Sequence, residues 1–170
     1  MTEPITPCLS LANLEDAVDR IARKMPGSPR EEVILTRLHF YTQLQLDAWF
    51  NASLKPYELN ETTWMALMLI YSRPDERVSP SDISSAMAFS RTNATRVVDE
   101  LEKKGWIQRL PSPSDRRKTE LALTGNGLEL IRQVLPVQRA RLKELWQDFS
   151  PDERRQLETL ERKLLARLTG

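Results

Sequence analysis

The run of 46 residues at 79–124, SPSDISSAMAFSRTNATRVVDELEKKGWIQRLPSPSDRRKTELALT, constrains this chain more than any other feature. Apolar or small residues fall at Ile83, Ser84, Met87, Ala88, Phe89, Ala94 and Val97, the spacing that lets two short helices cross closely and share one core. Two short alternating runs follow at 106–110 and 119–123, joined by a Pro/Ser-rich turn that carries Asp115, Arg116, Arg117 and Lys118. Helix, turn, helix, strand, basic tip, strand is the order of a winged helix-turn-helix. The expected fold is therefore mainly α with a small β-hairpin wing, the module being flanked by further helices.

The second helix of the pair, expected over 91–104, puts Ala94, Val97, Val98 and Leu101 on one face. At 100° per residue, Thr92, Thr95, Arg96, Asp99 and Lys103 lie opposite. Ser90 is placed to cap it and Gly105 to stop it. In such motifs the N-terminal part of the second helix enters the major groove. Thr92, Asn93, Thr95 and Arg96 are then the candidates for base edges, with Arg96 able to pair bidentately with guanine, and Ser90 and Arg91 suit phosphate. A merely solvated helix face is an equal reading of the helix alone. The turn shifts that balance: three consecutive basic residues repel one another and are unnecessary for folding, yet they suit a narrow, negative minor groove. Asp115 lies two residues before Arg117 and can orient its guanidinium.

Whole-chain charge favours no partner, since 25 Lys+Arg against 24 Asp+Glu leave +1. Its distribution is more telling. Residues 91–118 hold eight basic and four acidic side chains, a local +4 against −3 for the remainder. A local basic surface on a near-neutral chain fits a reader of DNA that does not coat nucleic acid indiscriminately. The single cysteine, Cys8, excludes an intrachain disulfide and suits a reducing compartment. The longest apolar run, 64–71, has eight residues against the roughly 20 a membrane span needs. The opening MTEPITPC has no secretory pattern, so the expected location is the cytoplasm.

Outside the module the chain reads as helices. Ser28-Pro29, Ser79-Pro80 and Ser150-Pro151 share one start signature, with Glu31, Asp82 and Glu153 at the third helical position; Asp82 is a shorter version of the capping box. Asn60 marks a fourth start, with Leu59 and Trp64 placed as a hydrophobic staple. Residues 1–10 read as a loose arm and 11–24 as a short helix, the two forming an N-terminal segment over 1–27. A long helix over 29–53 and a nearly all-apolar, hence central, helix over 61–72 come next. A long helix after Thr124, with Pro136 expected to kink it, precedes a last helix carrying Leu157, Leu160, Leu164, Leu165 and Leu168. Leucine stripes at the two ends need cover, and a second copy supplies it by two-fold symmetry. Segments 28–56 and 125–170 are thus the expected dimerisation helices around a DNA-binding region at 57–124, all one integrated domain.

The run D-x-R-x-x-x-L-x-L-T formed by Asp115, Arg117, Leu121, Leu123 and Thr124, set in this architecture, resembles the MarR family of bacterial transcriptional regulators. NETTWMALMLIYS at 60–72, SRTNATRVVDELEKKGWI at 90–107 and IRQVLP at 131–136 look close to the EmrR (MprA) branch, repressors of multidrug efflux operons. The similarity covers roughly 28–168. It implies a homodimer on a pseudo-palindromic operator, recognition helices in successive major grooves, and Arg117 in the minor groove with Asp115 as its partner. It further implies release by a small aromatic or phenolic effector held between the dimer helices and the DNA-binding module. His39, Tyr41, Trp49, Trp64, Met65 and Met68 are candidates there because thioethers adapt and π-faces stack, and Arg37 can neutralise an anionic ligand. For any one of these residues plain core is the better single reading.

An enzyme fits poorly. The one histidine and one cysteine lie 31 positions apart, and there is no Gly-rich phosphate loop, no metal-ligand spacing and no sign of a cofactor. Two alternatives remain open: a winged helix used for protein–protein docking, and a thiol-based redox-sensing repressor acting through Cys8. Nothing in the residues separates blocking a promoter from activating one; repression is implied by the resemblance alone.

Overall fold

Five helices start where a side-chain oxygen accepts from the third helical N–H, which satisfies one of the orphan donors at each start. The computed structural model describes residues 9–73, 78–88, 90–112 and 119–170, with the backbone alone for 9–12. Its elements are α1 (Leu9–Lys24), α2 (Arg30–Leu54), α3 (Glu61–Tyr71), α4 (Pro80–Ala86), α5 (Arg91–Lys103), β1 (Ile107–Pro111), β2 (Thr119–Leu123), α6 (Gly125–Leu145) and α7 (Pro151–Thr169). The capping side chains are Asn60, Ser79, Ser90, Thr124 and Ser150. Full capping boxes form at Ser79/Asp82 and Ser150/Glu153, and at Asn60 the box is completed by Thr63. The backbone N–H of Ser79, and then its hydroxyl, hold the Asp82 carboxyl below its ordinary range.

Ser28 departs from its expected role. Its hydroxyl donates to the Met25 carbonyl at 2.8 Å, closing the turn between α1 and α2. Helix α2 then begins one residue later, with Pro29 at the cap and no side-chain cap hydrogen bond. Helix α1 starts at Leu9, earlier than the expected limit of the loose arm.

The backbone clusters into two compact units, Met1–Pro56 and Tyr57–Gly170. In the first, α1 packs along α2, Val18 is buried, and Arg30 pairs with Asp19, whose carboxyl that hydrogen bond holds down. Leu35, Leu38, Phe40 and Leu44 of α2 are exposed.

In the second, α3 is central, packing on α5, α6 and β2 and burying Thr63, Trp64, Ala66, Leu67 and Ile70. Met65 on the same helix is exposed, so the burial is one face short of complete. The two strands pair antiparallel from Ile107↔Leu123 to Pro111↔Thr119, and Val78 adds a bridge to Leu121, its carbonyl accepting from the Leu121 N–H at 2.7 Å. Helix α6 continues through Pro136 and buries Gly127, Ile131, Val134 and Gln138. No residue of α7 is buried: Leu160 is 62% exposed and Leu168 74%.

Candidate nucleic-acid interface

The outward face of α5 is presented by a core built directly beneath it. Ala94, Val97, Val98 and Leu101 are buried together with Ile83 of α4, Ile107 of β1 and Leu121 of β2. Between α4 and α5 the chain turns through Ala88, exposed at φ +51°, where the backbone enters the left-handed region that a Cβ disfavours. Ala88 is therefore the hinge of the turn and not the core residue its spacing suggests. Phe89 lies outside the described residues. Helix α5 ends where Gly105 takes φ +72° after the C-cap Lys104.

Against this buried face, Ser90, Arg91, Thr92, Thr95, Arg96, Asp99 and Lys103 are exposed and Asn93 is half-buried. The Ser90 hydroxyl accepts from the Asn93 N–H at 3.2 Å. Arg96 donates from Nη2 to Asn93 Oδ1 at 3.1 Å, so its guanidinium is held along the helix before any contact with a partner. The Thr95 hydroxyl donates to the Arg91 carbonyl at 3.0 Å. The wing residues Asp115, Arg116, Arg117 and Lys118 lie outside the described residues, as does Cys8.

Two basic residues of the +4 window are committed elsewhere. Lys104 Nζ donates to the Glu58 carbonyl, lies 3.7 Å from the Glu58 carboxylate and 3.9 Å from that of Glu100, and sits 4.7 Å above the Trp106 ring. It thereby ties the end of α5 to a turn in which Glu58 itself has φ +55°. Arg109 of β1 pairs with Asp99 at 2.5 Å and with Glu102. Among the described residues of that window, the exposed basic side chains are Arg91, Arg96 and Lys103.

Thr124, the last residue of the D-x-R-x-x-x-L-x-L-T run, fixes the base of the wing. Its hydroxyl donates to the Gly105 carbonyl at 2.6 Å and accepts from the Gly127 N–H at 3.0 Å. Its own N–H reaches the Trp106 carbonyl at 3.0 Å. One threonine thus joins the end of α5, the start of β1 and the start of α6. Gly127 is required by the same closeness, since a Cβ there collides with the Trp106 carbonyl oxygen.

The effector candidates divide between the two units. On α2, Arg37 and His39 are exposed, while Tyr41 and Trp49 are half-buried; the Trp49 ring stands edge-on to Phe50 at 5.1 Å. On α3, Trp64 is buried, Met68 half-buried and Met65 exposed. Clefts among the described residues of the second unit include one of about 470 Å³ between α6 and α7, and one of about 800 Å³ bounded by the end of α3, the wing strands and the start of α6. None of the seven candidates lines either cleft. Among the described residues no helix is long and apolar enough to cross a membrane, and no group of His, Cys, Asp or Glu is placed to hold a metal ion.

A capped helix pair, a two-stranded wing and a polar helix face over a closed core define a winged-helix protein. The family model of the MarR family matches residues 59–119. The transcriptional repressor MprA of Escherichia coli K12 is 43% identical over 159 residues, covering 94% of this chain and 90% of that protein. The HTH-type transcriptional regulator PapX of Escherichia coli is 34% identical over 158 residues, covering 91% and 96% respectively. The chain belongs to the MarR family. A crystal structure of mutant MarR from E. coli complexed with operator DNA superposes with TM-score 0.71 at 29% identity, covering 79% of this chain and 96% of that one. The Staphylococcus aureus MepR–DNA complex shares the fold at TM-score 0.72 and 18% identity, with 79% and 96% covered.

Proposed function

We propose that the chain regulates transcription by binding duplex DNA as a homodimer, and that it represses an efflux or stress operon until a small aromatic or phenolic effector releases it. The observation that carries the DNA reading is the two-sidedness of α5. Its inner face is fully committed to the core, while Thr92, Thr95 and Arg96 stand exposed with Arg96 already oriented by Asn93. That arrangement suits base edges in a major groove, and Arg91 suits the flanking phosphate. MprA, a named transcriptional repressor, shares 43% identity over nearly the whole chain, which supports repression; the efflux target rests on the sequence resemblance alone. The apolar side chains left exposed on α2 and α7 support a second copy as their cover. The effector reading rests on the same kinship and on the aromatic and thioether side chains of α2 and α3; the cytoplasm is the compartment such a regulator requires.

The test is binding of the purified protein to a duplex of its own upstream region, followed by fluorescence anisotropy across a salt series. Neutralising six to ten phosphates weakens affinity by roughly 10³–10⁵ between 50 and 200 mM salt. Arg96→Ala is expected to relax preference at particular base pairs, each worth about 1–3 kcal/mol. Affinity that ignores salt would remove the DNA reading and leave protein docking in its place. Tryptophan quenching by salicylate-like compounds that also release the duplex tests the effector; release without any saturable quenching contradicts the proposed pocket.

A further inference from the structure

We infer that Arg109 is a positioning residue for DNA recognition: it clasps Asp99 and Glu102, screening two carboxylates of the recognition helix from phosphate and joining that helix to the wing strand. This rests on the DNA reading above. Asp99 lies on the outward face of α5, one turn beyond Arg96, with its side chain 58% exposed. Glu102 stands one turn further on and is 38% exposed. Two carboxylates there face the same polyanion that Arg91 and Arg96 attract, and like charges repel through partly solvated protein. The Arg109 guanidinium, 31% exposed, takes one carboxylate on each Nη. The hydrogen bond to Asp99 is the main reason the guanidinium holds its proton more firmly than usual.

The clasp is also a strut. Arg109 pairs across the hairpin with Leu121, which is buried and bridged to Val78, so the strand carrying the guanidinium is anchored from its far side. The fork thereby bridges α5 and β1 while neutralising both acids. A lysine cannot reproduce this, because one ammonium lacks the planar fork that reaches both acids.

The experiment compares wild type, Arg109→Met, Arg109→Lys, Asp99→Asn/Glu102→Gln, and the triple variant Arg109→Met/Asp99→Asn/Glu102→Gln on the upstream duplex, with thermal melts alongside. Arg109→Met is expected to weaken binding about 10-fold or more, near 1.4 kcal/mol, and Arg109→Lys less. The triple variant is expected to recover affinity to within about threefold of wild type and to keep its salt slope, since no phosphate contact is lost. The acid-neutralised double variant is expected to bind unrelated duplexes more tightly than wild type. A triple variant that stays as weak as Arg109→Met, with the salt slope lowered by about one, makes Arg109 a direct phosphate contact and overturns the proposal. A triple variant that is as weak and melts as early as Arg109→Met makes Arg109 merely structural, with the same consequence. Wild-type affinity in Arg109→Met defeats the clasp alone, whereas absence of salt-dependent binding by wild type defeats the DNA reading itself.

Discussion

Helices α5 and α7 are both amphipathic in sequence, and they meet opposite fates in a single chain. Helix α5 buries Ala94, Val97, Val98 and Leu101 against α4, β1 and α3, so its polar face is what remains for a partner. Helix α7 begins with an equally good capping box, Ser150 with Glu153, yet buries nothing, and its leucines at 157, 160, 164, 165 and 168 stay exposed. Capping therefore starts a helix without deciding whether it has a home. A closed core leaves polar chemistry outward; an unclosed stripe leaves apolar area outward, and each kind of remaining surface selects a different kind of partner. Under the proposed function, that partner is duplex DNA for α5 and the apolar stripe of a second copy for α7.

The sharpest way to break this comparison is to charge the α7 stripe. Each leucine removed from an apolar interface costs roughly 1.5–3 kcal/mol. Leu160→Glu with Leu164→Glu removes four leucines per dimer and is expected to weaken self-association by about 6–12 kcal/mol, read by sedimentation, while the near-ultraviolet spectrum of the winged module persists. Loss of that spectrum together with the dimer would mean that α7 belongs to the same closed core as α5.

Next in size is Gly127→Ala, which drives a methyl group into the Trp106 carbonyl and must separate α6 from the base of the wing. The expected cost is about 3 kcal/mol in urea unfolding at fixed protein concentration. A cost below about 1 kcal/mol means that the close approach relaxes freely. Thr124→Ala removes a cap and the tie to Gly105, for an expected loss of about 1–2 kcal/mol, and Thr124→Ser is expected to restore most of it.

The smallest effect concerns pH. Asp82 is depressed below its ordinary value in the folded chain, so its contribution is complete above about pH 4 and is lost as pH falls through the lower folded value. Asp82→Asn is thus expected to destabilise at pH 7 and to cost measurably less at pH 3. An equal effect at both pH values assigns the role of Asp82 to shape and not to charge.

Much of the DNA-facing module is legible in sequence because its determinants are local. Ser90, the 94/97/98/101 stripe and Gly105 lie within 16 residues and specify start, buried face and stop of α5 without any knowledge of the rest. The central position of α3 follows from its composition in the same way. What is not legible depends on tertiary closure. Ser28 has the residues of a capping box, yet its hydroxyl finds Met25 first. Ala88 has core spacing but serves as the positive-φ residue of the turn. Asp99 and Glu102 read as solvated charges until the strand brings Arg109 beneath them, and only the antiparallel register shows that it does. Gly127 gives no signal before α6 is seen crossing the Trp106 carbonyl.

The claim on which the rest depends is that the unclosed stripe and the closed module act together, two copies presenting two α5 faces to one duplex. Sedimentation of wild-type protein with a labelled duplex of its upstream region, titrated through saturation, tests it directly. The expected result is two chains per duplex at the tightest site, with the Leu160→Glu/Leu164→Glu variant folded but unable to form that complex. A single chain that remains monomeric and still grips a palindromic site as tightly as wild type would contradict the account.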